Sequence, residues 1–324
     1  MLFSHRIVKS WQILVITLVM GTMIFVQLPF DTRIMKEFQN TGHTIASGIL
    51  AGVVLTLIKN IDLNKKLTIK LHYIVAIVIA MLCGIFVEIF QLVIGRDAEV
   101  KDVVRNMIGV ISIIGVYASF DKNLIEILGK KKYSARRITI LIISIFLLLS
   151  GMVPLYNLSI AYFQRNKAFP VLLDFQSGWS RYFYSLNKTL LVDLRLEDII
   201  QNSKNIYKKR VVFLPGEYSG INYQEPVSDW SEWSYITFYI YIKNEPQMFI
   251  GLRINDKNHN NFYEDRYNKK IILNKGANIV RISLLDIKNS PKNRKMDMTS
   301  IQSMILFSMH RDQKEIIMSN IILE

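Results

Sequence analysis

The sequence predicts a membrane α-helical bundle of five transmembrane helices followed by a C-terminal all-β jelly-roll sandwich. Two observations lead to this fold class. Long uninterrupted apolar runs occupy the chain before about residue 160, and short segments of alternating apolar and polar residues follow it. At 324 residues the chain is long enough for two domains. We therefore expect a transmembrane domain over residues 1–160 and an extracytoplasmic β-sandwich over residues 161–324.

Five apolar segments have the composition of transmembrane helices. A bilayer requires about 20 apolar residues in a helix, and tilt or local thinning accommodates a shorter one. The first segment follows basic residues and has no small-residue cleavage site, so we expect it to be retained and not removed as a signal peptide. The predicted spans are Trp11–Phe30, His43–Ile58, Leu71–Ile94, Val103–Phe120 and Ile138–Leu155.

Basic residues in two loops predict the orientation. Residues 59–70 and 121–137 are both rich in Lys and Arg, which mark cytoplasmic loops. The N-terminus is then cytoplasmic, and an odd number of spans places the C-terminal domain outside a bacterial plasma (inner) membrane. The formal net charge is +14, and much of the basic excess in the first half lies in these loops. It indicates contact with membrane lipids and not with nucleic acid. The single cysteine, Cys83, excludes an intrachain disulfide.

Polar residues recur at helical spacing near the ends of the third and fourth spans. Glu88 and Gln91 are three residues apart and share one helix face, and Asp102 and Asn106 share a face of the next helix. Arg96 lies in the turn between them. A charge near the bilayer centre costs about 2.5–3.5 kcal/mol, so such residues normally face the bundle interior and find partners there. We expect these side chains to meet.

These residues resemble the VanZ-like family of small integral membrane proteins, named for an accessory protein of resistance to glycopeptide antibiotics such as teicoplanin. The resemblance covers about residues 10–120 and rests on Glu-x-x-Gln, Gly-Arg, Asp-x-x-x-Asn-x-x-Gly and an upstream histidine. It departs from the family pattern around that histidine, where Thr41-Gly42 replace an Asp-Lys pair and Thr44 replaces an aromatic residue. The resemblance implies a cell-envelope membrane protein with a polar cluster formed by His43, Glu88, Gln91, Arg96, Asp102 and Asn106.

Three interpretations of this polar cluster stay open. It is a buried staple between helices, in which each hydrogen bond contributes about 1 kcal/mol. It binds a ligand head group, with Arg96 facing an anion. Or it serves a membrane enzyme acting on a lipid-linked envelope substrate, with His43 or Glu88 as general base and Arg96 stabilising negative charge beside Asp102. The sequence shows no nucleophile beside a base and no His-x-x-x-His pair, so no catalytic residue is assigned and an enzyme is not favoured.

Residues beyond about 168 have the period-two alternation of antiparallel strands, punctuated by Gly, Pro and Asn. Together with Leu173-Asp174-Phe175 and Asp229-Trp230-Ser231, this pattern resembles the galactose-binding-like jelly rolls of many carbohydrate-binding modules. The resemblance implies recognition of a cell-envelope glycan, a lipid-linked glycan or a glycopeptide. The predicted strands are Val171–Phe175, Thr189–Leu196, Tyr235–Ile242, Met248–Asn255, Ile271–Leu273, Ala277–Leu284, Ile301–Phe307 and Glu315–Leu323.

Galactose-binding-like jelly rolls, which this region resembles, often contain a structural calcium ion. Here Asp174 is the candidate ligand, although Asn320 stands where the last strand often supplies Asp. No other cofactor is expected.

One predicted strand carries an aromatic face. If Ile236, Phe238 and Ile240 face the core, the tyrosines between them point outward, and the same alternation turns polar residues outward on two further strands. If these strands are neighbours in one sheet, aromatic rings and polar rims share a face that suits a sugar ring. An ordinary solvated face with cross-strand aromatic pairs is the alternative. The carbohydrate-binding candidates are Tyr235, Tyr239, Tyr241, Arg253, Asn255 and Arg281.

Overall fold

The chain forms two compact units, a helical unit over Met1–Asn157 and a β-rich unit over Leu158–Glu324. The computed structural model describes residues 2–26, 32–62, 67–95, 99–124, 130–195 and 206–324. Apolar helices make up the first unit, and an antiparallel β-sandwich makes up most of the second. The coarse fold class predicted from the sequence is confirmed.

Five long helices are described before residue 169. Three of them extend well beyond the predicted spans. α1 begins at Leu2 and not at Trp11, α2 begins at Arg33 and not at His43, and α5 extends on both sides of the predicted Ile138–Leu155. α5 continues through Pro154 without a break. Leu158 and Ala161 are buried in its last turns, and Ala161 belongs to the core of the sandwich. The helices are α1, Leu2–Phe25; α2, Arg33–Ile61; α3, Ile69–Val93; α4, Val100–Phe120; and α5, Lys130–Ala168.

Four described helices are long and apolar enough to cross a membrane, one fewer than the five predicted spans. They are α2, α3, α4 and the Ala135–Ala168 part of α5. The apolar part described for α1, Ser10–Phe25, is shorter than a full span. The end of the predicted Trp11–Phe30 span lies outside the described residues.

The β-rich unit contains ten described strands, joined in one antiparallel hydrogen-bonded order, β2-β5-β8-β6-β9-β4-β3, with β7 and β10 also paired to β6. One short helix, α6, Leu284–Lys288, follows β7. The strands are β1, Val171–Leu173; β2, Tyr184–Asn187; β3, Thr189–Val192; β4, Tyr207–Phe213; β5, Gly220–Gln224; β6, Tyr235–Asp256; β7, Tyr267–Ser283; β8, Ile301–Ser308; β9, Lys314–Ser319; and β10, Ile321–Leu323.

Strands β6 and β7 form one long bent hairpin, where four separate strands were predicted. The pairing shifts register between Ile242 and Gln247, opposite Gly276, whose φ of 94° is a left-handed value that favours glycine. Before the bend, β6 pairs with β9 and β10; after it, β6 pairs with β8. The hairpin therefore belongs to two sheets, one on each side of the bend.

The predicted inward alternation of β6 is confirmed. Ile236, Phe238, Ile240 and Ile242 are fully buried in the first half, and Ile250, Leu252 and Ile254 in the second are at most 1% exposed. Both sheets therefore enclose one apolar core, which also holds the large buried side chains Phe183, Phe213 and Trp230. Strands β2, β4 and β5 were not predicted. β4 was missed because three consecutive basic residues, Lys208, Lys209 and Arg210, follow its first residue, although its last residues are buried.

A network of charged residues joins the end of β6 to the chain segment after α6. The Arg294 guanidinium donates two hydrogen bonds to the fully buried Asp256 carboxylate, at 2.6 and 2.7 Å, and two to the Asp265 carboxylate, at 2.5 and 3.1 Å. The backbone N–H of Asp297 also donates to Asp256, at 2.7 Å. The beginning of the chain segment after α6 is thereby tied to the end of β6.

Candidate functional site

Three of the predicted polar-cluster residues meet where α2, α3 and α4 pack together. His43, Glu88 and Asp102 are each buried, and one ligand atom from each lies within 4.8 Å of the others. His43 Nδ1 lies 3.6 Å from Glu88 Oε1. One imidazole and two carboxylates thus lie close together inside the helical unit.

Asn106 lies one helical turn beyond Asp102 and is only 3% exposed. Within the described part of the chain, neither its Oδ1 nor its Nδ2 has a hydrogen-bond partner. Its backbone carbonyl accepts a hydrogen bond from Ser47 Oγ at 3.0 Å, which joins α2 to α4. These helices approach so closely at Gly109 that a Cβ there would lie 1.9 Å from the Thr44 carbonyl oxygen. This close approach explains why the Asp-x-x-x-Asn-x-x-Gly motif ends in glycine.

Two charged residues of this region were missed by the sequence prediction. Arg105 donates to Asp102 Oδ1 at 2.6 Å and to Glu37 Oε1 at 2.9 Å. Glu37 was missed because α2 was predicted to begin only at His43. The spacing of Asp102 and Arg105, three residues apart on one helix, was a readable signal that the prediction did not use.

Of the remaining two cluster candidates, only Gln91 lies within the described residues. Gln91 is buried, and its Nε2 donates to the backbone carbonyl of Met23 in α1 at 2.8 Å. It therefore joins α3 to α1. Arg96 lies outside the described residues, so its place in the cluster stays a prediction.

The β-sandwich presents a second candidate site on the outer face of the sheet that contains β5, β8 and the second half of β6. The strand register aligns Gly220, Phe307 and Gly251 in one row across these strands, and Asn222, Ile305 and Arg253 in the next row of the same face. Asn187 of β2 extends the first row, since it pairs with Gly220. These two adjacent rows of residues thus lie on the same face of the sheet.

A cleft of about 280 Å³ lies over these two rows of residues. The ring of Phe307 occupies the space over Gly251, where a Cβ would lie 2.2 Å from Phe307 Cζ. Tyr218 stands beside it, with ring centroids 5.6 Å apart, and is 62% exposed. Its φ of 57° is left-handed, which is uncommon for a tyrosine and is often found at functional sites. We call this the Tyr218 cleft; it is lined by Asn187, Tyr218, Gly220, Asn222, Arg253, Ile305 and Phe307.

The Tyr218 cleft contains polar atoms that the described protein leaves without a hydrogen-bond partner. These atoms are Arg253 Nε, a donor, and Asn222 Oδ1, an acceptor. The Arg253 guanidinium also lies 5.7 Å from the centroid of the Phe307 ring. None of the seven described lining residues is acidic. Both atoms are themselves buried, whereas their side chains are only half-buried, so the cleft is lined by aromatic surface, two polar side chains and one positive charge.

The predicted carbohydrate-binding residues do not share one face, because the β6–β7 hairpin bends between them. Arg253 lies in the Tyr218 cleft. Asn255 is buried and accepts a hydrogen bond from Ser303 at 2.6 Å. Arg281 lies over the ring of Tyr235 in the other half of the hairpin, 3.7 Å from its centroid. Tyr239 and Tyr241 are half-buried there, and Tyr241 packs against Tyr207 at 5.9 Å.

The calcium candidate Asp174 supports a local turn. Its carboxylate accepts hydrogen bonds from the backbone N–H of Gln176 and from Ser177 Oγ, and Asn320 Oδ1 accepts from the backbone N–H of Phe175. These contacts account for both side chains without an ion. Asp174 as a calcium ligand stays a prediction.

Comparisons with known proteins give structural likeness only. No protein family model matches the chain, and no curated protein matches it. The VanZ-like resemblance of about residues 10–120 therefore stays a prediction.

Several solved structures are similar to part of the chain. A family 11 carbohydrate-binding module from Clostridium thermocellum, in complex with a beta-1,3-1,4-mixed-linked tetrasaccharide, matches at TM-score 0.32 and 17% identity over 43% of this chain and 82% of that one. The family 11 module of a cellulosomal cellulase of Clostridium thermocellum matches at 0.34 and 16% over 47% and 92%. A non-crystalline cellulose specific module matches at 0.32 and 14% over 48% and 93%. With TM-scores this low, the case for a ligand rests on the side chains of the cleft.

Proposed function

We propose that this chain is an integral membrane protein of the bacterial cell envelope whose extracytoplasmic β-sandwich binds a glycan in the Tyr218 cleft. The observation that carries the proposal is that an exposed tyrosine ring shares one cleft with the half-buried polar side chains of Arg253 and Asn222. Sugar rings have apolar C–H faces that pack on aromatic rings and hydroxyl edges that form hydrogen bonds. Such a cleft meets both requirements.

The charge of the cleft favours an acidic glycan. Arg253 provides a guanidinium in a cleft whose described lining has no carboxylate, and guanidinium groups bind carboxylates and phosphates through strong charge-assisted hydrogen bonds. An oligosaccharide that carries a uronic acid or a phosphate supplies the missing negative charge. We therefore propose that acidic glycans bind more tightly than neutral ones of the same backbone.

The distribution of polar and apolar side chains supports membrane insertion of the helical unit. On α3, Val78, Leu82 and Leu92 are 49%, 60% and 66% exposed, whereas Glu88 and Gln91 on the same helix are buried. A helix in water has the opposite arrangement, with its polar side outward. Apolar side chains outside and polar ones inside are typical of a bundle in lipid.

Affinity electrophoresis tests the glycan proposal. The purified full-length chain in detergent should migrate more slowly in a native gel that contains polygalacturonate than in a gel without polysaccharide. Methyl-esterified polygalacturonate has the same backbone without the charges, and we expect it to retard the protein less. Equal migration in all three gels would contradict the proposal.

The proposed topology makes a separate prediction. Reporter fusions after residues 64 and 130 should report a cytoplasmic location, because both positions lie in basic segments between apolar runs. A fusion after Glu324 should report an external location. A cytoplasmic signal from the last fusion would show that the sandwich cannot meet a glycan of the envelope.

A further inference from the structure

The geometry of the helical unit points to a metal site, and we propose that His43, Glu88 and Asp102 bind one divalent first-row transition-metal ion, with the Asn106 side-chain amide supplying a further oxygen ligand. The three residues come from α2, α3 and α4, and their ligand atoms lie within 4.8 Å of one another. This proposal concerns the helical unit and does not depend on glycan binding by the sandwich.

The spacing of the ligand atoms fits coordination better than direct hydrogen bonding. His43 Nδ1 and Glu88 Oε1 are 3.6 Å apart, which is beyond the normal range of a hydrogen bond. Two ligand atoms about 2.1 Å from a tetrahedral zinc ion are themselves about 3.4 Å apart. An ion placed between the two side chains would therefore need only small adjustments of the ligands.

The buried amide of Asn106 is an independent observation that points to a ligand. Both of its polar atoms lack a hydrogen-bond partner among the described residues, although the side chain is 97% buried. A buried polar group without a partner costs about 1–3 kcal/mol. Asn106 lies one turn from Asp102, and its Nδ2 lies 3.3 Å from where a Cβ of Gly84, one turn before Glu88, would stand. The Asn106 amide therefore lies between α3 and α4, one turn from a ligand on each helix, and we propose that its oxygen completes the ligand set.

The charges of the nearest side chains favour a divalent cation. Among the described residues, the carboxylates of Glu37, Glu88 and Asp102 lie close together with His43 and the guanidinium of Arg105. A divalent cation bound beside clustered carboxylates stabilises their charged forms. An imidazole with carboxylate and amide oxygens suits Zn²⁺ or Mn²⁺, whereas Mg²⁺ and Ca²⁺ prefer ligand sets made only of oxygen.

Metal titration of the full-length chain tests this proposal. The protein is purified in detergent, treated with a chelator and titrated with Zn²⁺, Mn²⁺ and Mg²⁺. We expect about one Zn²⁺ or Mn²⁺ ion per chain and, at 100 times Kd, a rise in Tm of about 5 °C or more. His43→Gln and Glu88→Gln should each weaken binding about 100-fold or more, since each removes a ligand.

His72→Gln is the matched control. His72 is a buried histidine of the same unit, with Nε2 2.8 Å from Asp62 Oδ2, but it has no third ligand within the described residues. Its substitution should leave metal affinity unchanged. Because a ligand variant can fail to fold, the unmutated protein is also titrated with Co²⁺, whose visible absorption bands report nitrogen and oxygen ligands. Absence of these bands together with no binding of Zn²⁺ or Mn²⁺ would overturn the proposal, as would equal binding by the wild type, His43→Gln and Glu88→Gln.

Discussion

Tyr218→Gly is expected to weaken glycan binding about thirtyfold while leaving the protein as stable as before or slightly more stable. The loss of binding follows because an exposed aromatic ring at the centre of a binding site contributes about 2 kcal/mol, which corresponds to that factor in Kd. The stability follows from the backbone. Glycine adopts a φ of 57° without the steric cost that tyrosine meets there, and it can gain up to about 1 kcal/mol.

Tyr241→Ser serves as the control for this prediction. Tyr241 lies in the half of β6 that pairs with β9, away from the Tyr218 cleft, so its substitution should leave Kd for oligogalacturonate unchanged. Isothermal titration calorimetry and thermal unfolding of the same samples measure both quantities. If Tyr241→Ser abolishes binding and Tyr218→Gly does not, the tyrosine strand predicted from the sequence is the binding face and the cleft is not.

Arg294→Met is expected to lower the free energy of unfolding of the β-rich unit by about 3–5 kcal/mol. Asp256 is fully buried and depends on the Arg294 guanidinium for its charge compensation. Removing one partner of a buried ion pair leaves an uncompensated charge, which accounts for a loss of this size. Denaturant unfolding followed by tryptophan fluorescence measures it, since three of the four tryptophans, Trp179, Trp230 and Trp233, lie in this unit.

The same variant has a predicted pH dependence. The Arg294 guanidinium lowers the pKa of Asp265 to about 2, below its ordinary value of 3.8. A depressed pKa contributes stability above the ordinary value and loses it as pH falls through the depressed one. The difference in free energy of unfolding between wild type and Arg294→Met should therefore be largest at neutral pH and decrease between about pH 4 and pH 2.

Arg311→Met is the matched control for Arg294→Met. Its ion pair with Glu217 is largely exposed, so we expect a change within about 0.5 kcal/mol. An Arg294→Met protein as stable as the Arg311→Met protein would show that the buried network does not stabilise the sandwich.

Periodicity explains which parts of the fold could be predicted from the sequence. Long apolar runs indicate helices because a buried helix needs no hydrogen-bond partner outside itself, and alternation in β6 correctly predicted which side chains face the core. The bend in the β6–β7 hairpin could not be read in the same way. Alternation stops before Gln247 and resumes after it. One bent strand and two separate strands give this same pattern, so the sequence does not distinguish them.

The two candidate sites were predictable to different degrees. His43, Glu88 and Asp102 stand out because charged residues are rare within apolar helices. The Tyr218 cleft could not be predicted, since it depends on β2 and β5, whose short segments carry no strong alternation. Its geometry arises from the register that aligns Gly220, Phe307 and Gly251. The local sequence does not determine the register between strands that are distant in the chain.

The central claim is that the sandwich binds an acidic glycan through Arg253 in the Tyr218 cleft, and one comparison tests it most directly. Arg253→Met and Arg281→Met remove the same charge from the two halves of one hairpin, so nonspecific attraction to a polyanion falls equally in both. Calorimetric titration of each full-length variant with oligogalacturonate measures what remains. We expect Arg253→Met to weaken binding by about tenfold or more, and Arg281→Met to bind like the wild type. Equal affinity of the two variants would contradict the claim.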